Sequence, residues 1–240
     1  MTVQFLKEGD TAMVVQFGDV IDRALSDRVL RLSRRIRALG ILGVTDLVPT
    51  FRSLLVHYDP LIVGGDELKG RLEGLLESSD AQRQEARQWT IPVCYEGEYA
   101  PDVDDVAQAS GLTATQVVEQ HAGTLFHVYM LGFVPGYPYM GDLPPALVLP
   151  RRSNPRTRVP PGSVAIASVM TAIYPLESPG GWHLIGATPI RLFDADAQDP
   201  ALLRPGDKVR FQPIGSAEYA GIRKAVQAGD FEMVCERVAS

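Results

Sequence analysis

Beyond His121 the chain is written in short apolar runs, HVYML, ALVLP, SVAIASV, WHLIG, IRLF and KVRF, separated by proline- and glycine-containing turns. Proline removes a backbone donor and fixes φ, and glycine is costly inside regular structure. Runs this short, stopped this often, predict strands joined by tight turns and no helix, hence a β-barrel or sandwich. The same text begins at Trp89 with a strand at IPVCY, and two short helices lead from there to His121.

The first 78 residues read differently. Thr11–Phe17, Val44–Val48 and Ser53–Tyr58 are predicted strands bounded by Gly-Asp and Asp-Pro punctuation. Leu25, Val29, Leu32, Ile36 and Leu39 fall at helical spacing, with Gly40 as the expected C-terminal cap. A second helix opens at Gly65-Asp66 and carries Leu68, Leu72, Leu75 and Leu76 on its apolar face. The expectation is a ferredoxin-like α+β domain over 1–80, a polar boundary within SSDAQRQEARQ (78–88), and a mostly-β domain over 89–240. A chain of 240 residues can build two such cores.

Charge narrows the partners. The formal net charge is -6, which gives no support to a nucleic-acid binder. DDVAQASGLTATQVVEQHA (104–122) imitates a helix-turn-helix, with a capping box from Thr113 to Gln116. Residues 101–122, however, hold Asp102, Asp104, Asp105 and Glu119 and no Lys or Arg, so nothing there releases counterions from a phosphate backbone. A helical hairpin covering one end of a barrel is the better reading. Cys94 and Cys235 stand apart with no CxxC or Cys/His cluster, so no structural metal is expected. The opening MTVQFLKEGD lacks an apolar h-region, and no window holds eighteen consecutive apolar residues. A cytoplasmic protein without a membrane segment is expected.

Three blocks carry candidate chemistry. LGFVPGYPYMGDLP (131–144) joins a stiff backbone to Phe133, Tyr137 and Tyr139, and it follows a strand on which His127, Tyr129 and Leu131 alternate on one face. RRSNPRTRVPPG (151–162) crowds Arg151, Arg152, Arg156 and Arg158 into a proline-stiffened segment. Guanidinium forks suit a carboxylate or phosphate; a solvated turn, or pairing with the surplus acids of this chain, fits equally well. IYPLESPGGWHLIG (173–186) sets Tyr174 before a tight turn at Ser178-Pro-Gly-Gly181, with Trp182 next in line. RPGDKVRF (204–211) reads as a structural turn into a strand.

Together and in this order these blocks, with GDTAMVVQFGDVID and VPTFRSLLVHYDP, resemble the family that unites the 5-oxoprolinase B subunit (PxpB), KipI and allophanate hydrolase subunit 1. The resemblance implies a cyclophilin-like barrel after the α+β domain. It further implies an enzyme component that works with a homologous C subunit and with an A subunit to open 5-oxoproline to glutamate, with ATP as co-substrate of the complex. Two other activities come with the family: inhibition of a sensor histidine kinase, and a carboxyl-transfer component acting on a urea-like amide with a biotin partner. Relatives often carry Arg after LIG, where this chain has Ala187, and Arg191 is the nearby substitute. For lactam opening, His127 is expected to move the proton and Arg158 to serve as the catalytic cation. Arg152 and Arg156 add charge, and Gly180 and Gly181 offer N–H groups. Tyr129, Phe133, Tyr137, Tyr139, Tyr174 and Trp182 complete the substrate cleft.

Overall fold

The computed structural model of this protein describes residues 3–77 and 85–239. They form two compact units, before and after the segment 78–84.

In the first unit β1 (Gln4–Glu8) and β2 (Ala12–Gln16) precede α1 (Arg23–Leu39), and β3 (Val44–Pro49) and β4 (Ser53–Tyr58) precede α2 (Gly65–Glu77). The antiparallel sheet has the order β1-β2-β4-β3. Strands β2 and β3 therefore run parallel on either side of β4, with α1 as the crossover, which is a split β-α-β unit. Val29, Leu32 and Ile36 of α1 and Leu68 and Leu72 of α2 meet Val15, Leu54 and Val56 of the sheet in one core. Gly40 stops α1 in a left-handed conformation, its N–H reaching the Ile36 and Arg37 carbonyls. Leu39, expected on the apolar face, is 62% exposed because the helix ends there, past its last packed turn at Ile36.

The second unit opens with β5 (Glu85–Cys94), four residues earlier than Trp89. The hairpin α3 (Val103–Ser110) and α4 (Ala114–Gly123) follows, with left-handed Gly111 between them and the Thr113–Gln116 capping box in place. Then come β6 (Leu125–Leu131), β7 (Pro138–Gly141), β8 (Arg156–Val159), β9 (Ser163–Ala167), β10 (Met170–Ile173), β11 (Ser178–Gly180), β12 (His183–Ala187), β13 (Lys208–Ile214), α5 (Ser216–Ala228) and β14 (Val234–Ala239). The strand sequence β12-β9-β10-β7-β6-β13-β5 closes on itself through Ala187 and Cys94 into a seven-stranded mixed barrel, and β14 adds to β5 outside the ring. Strands β8 and β11 pair separately as a small two-stranded sheet. Val106, Ala107 and Val117 of the hairpin enter the barrel core with Ile91, Phe126, Val128, Ile166 and Phe211.

Several local expectations differ from the structure. A helix, α5, does follow His121; its stripe is only Tyr219, Ile222 and Val226, interrupted by Gly221, though Gly229 supplies a legible left-handed stop. IRLF is extended but unpaired except for one bridge, Phe193 to Ala201, because Ile190 and Leu192 are held by core packing rather than by a ladder. The first two residues of ALVLP belong to a 3-10 turn, Pro145–Leu147. Ser178-Pro-Gly180 is the strand β11, not a tight turn. Asp207, in RPGDKVRF, is buried and accepts from Arg87, from Trp89 Nε1 and from the Arg204 N–H, which fixes the parallel pairing of β13 to β5.

His121 is fully buried inside the barrel between Tyr95 and Thr171, at 2.9 Å from each. The Thr171 hydroxyl donates to the Ala165 carbonyl, so it accepts from Nε2–H, and Nδ1 accepts from the Tyr95 hydroxyl. The neutral ring is thus completely satisfied, and burial pushes its pKa from 6.5 down to about 3. The folded state binds the proton more weakly than the unfolded chain. Stability from this group is therefore present above pH 6.5 and is lost as pH falls toward about 3. Urea unfolding between these limits should show stability falling by up to about 1.4 kcal/mol per pH unit from this proton. His121→Gln should lack that component, and equal slopes in both proteins would refute it.

Candidate functional site

The segment before α3 and the arginine block converge on one carboxylate. Asp102 is 2% exposed. It accepts from Arg152 at 2.8 Å, from both terminal nitrogens of Arg156 at 2.9 and 2.7 Å, and from the Leu184 N–H at 2.7 Å. Its own N–H donates to the Leu184 carbonyl at 3.0 Å. Burial pushes the carboxyl up, but the Arg156 and Leu184 hydrogen bonds and both guanidinium charges outweigh it and hold the pKa below the usual carboxylate range. Asp102 precedes a helix, where the ordinary role is to cap the first N–H groups; here its side chain makes no such bond.

The clamp ties the arginine block to the Gly-Gly-Trp block. The Arg152 N–H also donates to the Gly181 carbonyl at 2.8 Å. Trp182, next in line, packs edge-on to Tyr137 and Tyr139 at 6.2 and 6.0 Å. Tyr137 contacts Tyr174, Tyr139 and Phe133 at 5.1, 5.0 and 5.4 Å. A side chain at position 180 would collide with the Tyr174 hydroxyl, which is why glycine stands there. Burial raises the pKa of Tyr137, Tyr139 and Tyr174, so all three are neutral phenols at pH 7.

These rings fill their own space: Tyr137, Tyr174 and Trp182 are buried, Tyr139 is half-buried and Phe133 is exposed. Open volume begins beside them, in a groove of about 400 Å3 lined by Pro150, Arg151, Arg152, Asn154 and His183. Arg151 lies over the Trp182 ring at 6.0 Å. Among the described residues it is the one guanidinium of this block without a hydrogen bond or ion pair. Its charge opposes the upward shift at all three tyrosines.

The loop LGFVPGYPYM is a closed connection between β6 and β7, with Gly132 N–H bonded to the Tyr137 carbonyl and Tyr137 N–H to Val134. Gly136, at φ 76, lets the turn approach Phe193; a Cβ would sit 2.8 Å from that side chain. Phe133 holds a positive φ of 69, an uncommon conformation for an aromatic residue. A bulge between Val128 and Met130 breaks the alternation of β6. His127 and Tyr129 therefore share a face, rings 4.8 Å apart, whereas Leu131 turns to the barrel core. The Tyr129 hydroxyl reaches Asp142 at 3.4 Å. His127 is 4% exposed and sits opposite Gly141 and Lys208 in the sheet.

Arg158 lies elsewhere. It pairs with Glu177 at 2.8 Å on the surface, and with Arg156, Ala187 and Arg191 it lines a second cleft of about 770 Å3. The predicted residues thus fall into four places: the aromatic cluster with its glycines, the Asp102 clamp, the His127–Tyr129 pair, and the rim of the second cleft, where Arg158 stands. Asp102 itself is legible in the sequence only as a negative charge, since a helix-preceding acid ordinarily reads as a cap. Arg151 reads as one of four arginines, and no local pattern separates it from its neighbours. Among the described residues no group of three or more His, Cys, Asp or Glu is arranged to hold a metal, and no helix is long and apolar enough to cross a membrane.

A closed barrel, a separate α+β unit and an arginine-lined groove define a class that comparison with known proteins makes explicit. The family model for the carboxyltransferase domain, subdomains C and D, matches residues 3–203. The chain is 36% identical over 235 residues to the 5-oxoprolinase B subunit of Bacillus subtilis, covering 91% of this chain and 97% of that one. It is 42% identical over 206 residues to the 5-oxoprolinase B subunit of Escherichia coli O157:H7, covering 85% and 93%. The solved structure of TTHA0988 superposes with a TM-score of 0.76 at 38% identity, over 85% of this chain; the chain spans 40% of that longer one. The chain belongs to the 5-oxoprolinase B-subunit family of carboxyltransferase C/D domains.

Removing the Asp102 charge strands two half-buried guanidinium groups. Asp102→Asn should destabilise the barrel unit by about 3 kcal/mol. Glu177→Ala, which breaks an exposed pair, should cost far less. Thermal or urea unfolding of both variants decides it; equal losses would contradict the clamp.

Proposed function

We propose that this chain is the B subunit of an ATP-dependent 5-oxoprolinase, a cytoplasmic complex with A and C subunits that opens 5-oxo-L-proline to L-glutamate. The observation that carries the reading is the identity of 36% over 97% of a relative bearing that name. The barrel is, in this reading, the cyclophilin-like part of the protein.

A lactam resists water because its amide is resonance-stabilised. Transfer of the ATP γ-phosphoryl group to the ring carbonyl oxygen makes the carbon electrophilic. Water then adds, the ring C–N bond breaks and the nitrogen takes up a proton, leaving γ-glutamyl phosphate, whose hydrolysis by a second water gives glutamate and inorganic phosphate. The chain's part in this is binding and charge. Arg151, unpaired beside the groove, is the group suited to the substrate carboxylate. Trp182 lies under Arg151 at the edge of the groove, and the Asp102 clamp keeps Arg152 and Arg156 from competing for the ligand. His127 keeps the role of proton carrier in this proposal, at the β6 end of the same hairpin.

A second reading has its own support: the family description names a carboxyltransferase domain. Acting on a urea-like amide with a biotin-bearing partner would use the same groove for a neutral substrate, and Arg151 would then matter little.

The test is turnover by the reconstituted complex. Mixed with its A and C subunits, the chain should release glutamate and ADP from 5-oxoproline and ATP. Arg151→Ala should raise KM for 5-oxoproline about tenfold with a smaller change in kcat, as expected for loss of one charge-assisted contact. An assembled complex without turnover would sink the reading, and an unchanged KM would remove Arg151 from it.

A further inference from the structure

The cleft of about 770 Å3 beside Arg158 lies within the barrel unit and is lined by other residues than the groove beside Arg151. Its walls are stiff. Pro160, Pro161 and Pro189 line it, and Gly162, at φ 84, brings the 162 and 188 backbones together, with the Thr188 N–H bonded to the Gly162 carbonyl at 2.8 Å. One side is aromatic: Tyr99 and Tyr219 pack with rings 4.2 Å apart.

The charge lining is lopsided for a protein of net charge -6. Arg156, Arg158, Arg191 and Arg223 face the cleft, against the single carboxylate of Glu98. Arg156 is spent on Asp102. Arg158 and Arg191 hold Glu177 and Asp194 in exposed pairs, at 2.8 and 2.9 Å. Such solvent-exposed pairs are weak and give way readily to a stronger anion. Arg223, on α5, has no hydrogen bond or ion pair among the described residues.

We infer that this cleft binds a phosphate-bearing organic ligand of nucleotide size. The arginines supply the phosphate contacts, because guanidinium forks meet phosphate oxygens in bidentate geometry. The proline and tyrosine walls take the apolar, planar remainder. Volume decides between a bare anion and something larger: the cleft lies within the roughly 300–1,000 Å3 of sites that enclose whole organic ligands. Preset prolines lower the entropy lost on binding. The inference stands on the cleft alone and not on the lactam reading.

The test is fluorescence anisotropy of N-methylanthraniloyl-ATP with the purified full-length chain, with competition by unlabelled compounds. ATP and ADP should displace the probe, inorganic triphosphate should displace it more weakly, and adenosine should not. Arg223→Glu and Arg191→Glu, both at exposed positions, should each weaken binding about tenfold or more, and Arg223→Lys should retain most of it. Absence of probe binding at millimolar chain, or unchanged affinity in Arg223→Glu, would overturn the inference. Displacement by adenosine as strong as by ATP would overturn the role of the arginines, and triphosphate as strong as ATP would overturn that of the walls. Each outcome is read from the chain alone, so it is independent of whether the complex opens 5-oxoproline.

Discussion

Asp102 takes hydrogen bonds from two arginines and one backbone N–H while almost wholly out of water. A carboxylate in that position is tolerable only when each of its charges and lone pairs is met. Meeting them fixes where three distant segments run. The start of α3 is tied to β12 through Leu184, and the 150–158 segment is drawn over both. The Arg152–Gly181 bond then sets the Gly-Gly-Trp turn against the tyrosines. Arrangement of the groove is in this sense a consequence of one buried charge.

The same arithmetic of charge separates the arginines by role. Four of them within eight positions look alike in the sequence. In the structure two share the one carboxylate of the clamp and one is paired on the surface, while Arg151 is left beside the aromatic rings. A cation next to neutral phenols and an indole face suits a small anionic ligand with a flat ring. A lactam acid, the substrate proposed for this chain, has that shape.

Much of the architecture is readable from local patterns. The helical spacing from Leu25 to Ile36, the Gly40 stop, the Thr113–Gln116 capping box and the proline-punctuated strands all report on backbone chemistry within a few residues. What sequence reading misses depends on long-range geometry. The bulge after Val128 turns Leu131 inward although alternation puts it with His127 and Tyr129. Helix α5 carries an apolar stripe too short to outweigh Gly221. For the site, the aromatic residues and glycines are legible because the cluster is built from neighbouring blocks. The pairing of Arg152 and Arg156 with Asp102 spans some fifty residues, and no local rule chooses that acid over the other carboxylates of the chain.

If the buried carboxylate organises the groove, its loss must be felt beyond its own hydrogen bonds. Amide hydrogen exchange of the native chain and of Asp102→Asn reads this directly at two positions. The Leu184 N–H is bonded to Asp102 itself, whereas the Arg152 N–H is bonded to Gly181 and reports on the docking of the two blocks. The account predicts that both amides lose protection together in the variant, while the amides of the separate α+β unit keep theirs. Loss at Leu184 with Arg152 still protected would show that the blocks dock without the clamp, and would contradict it.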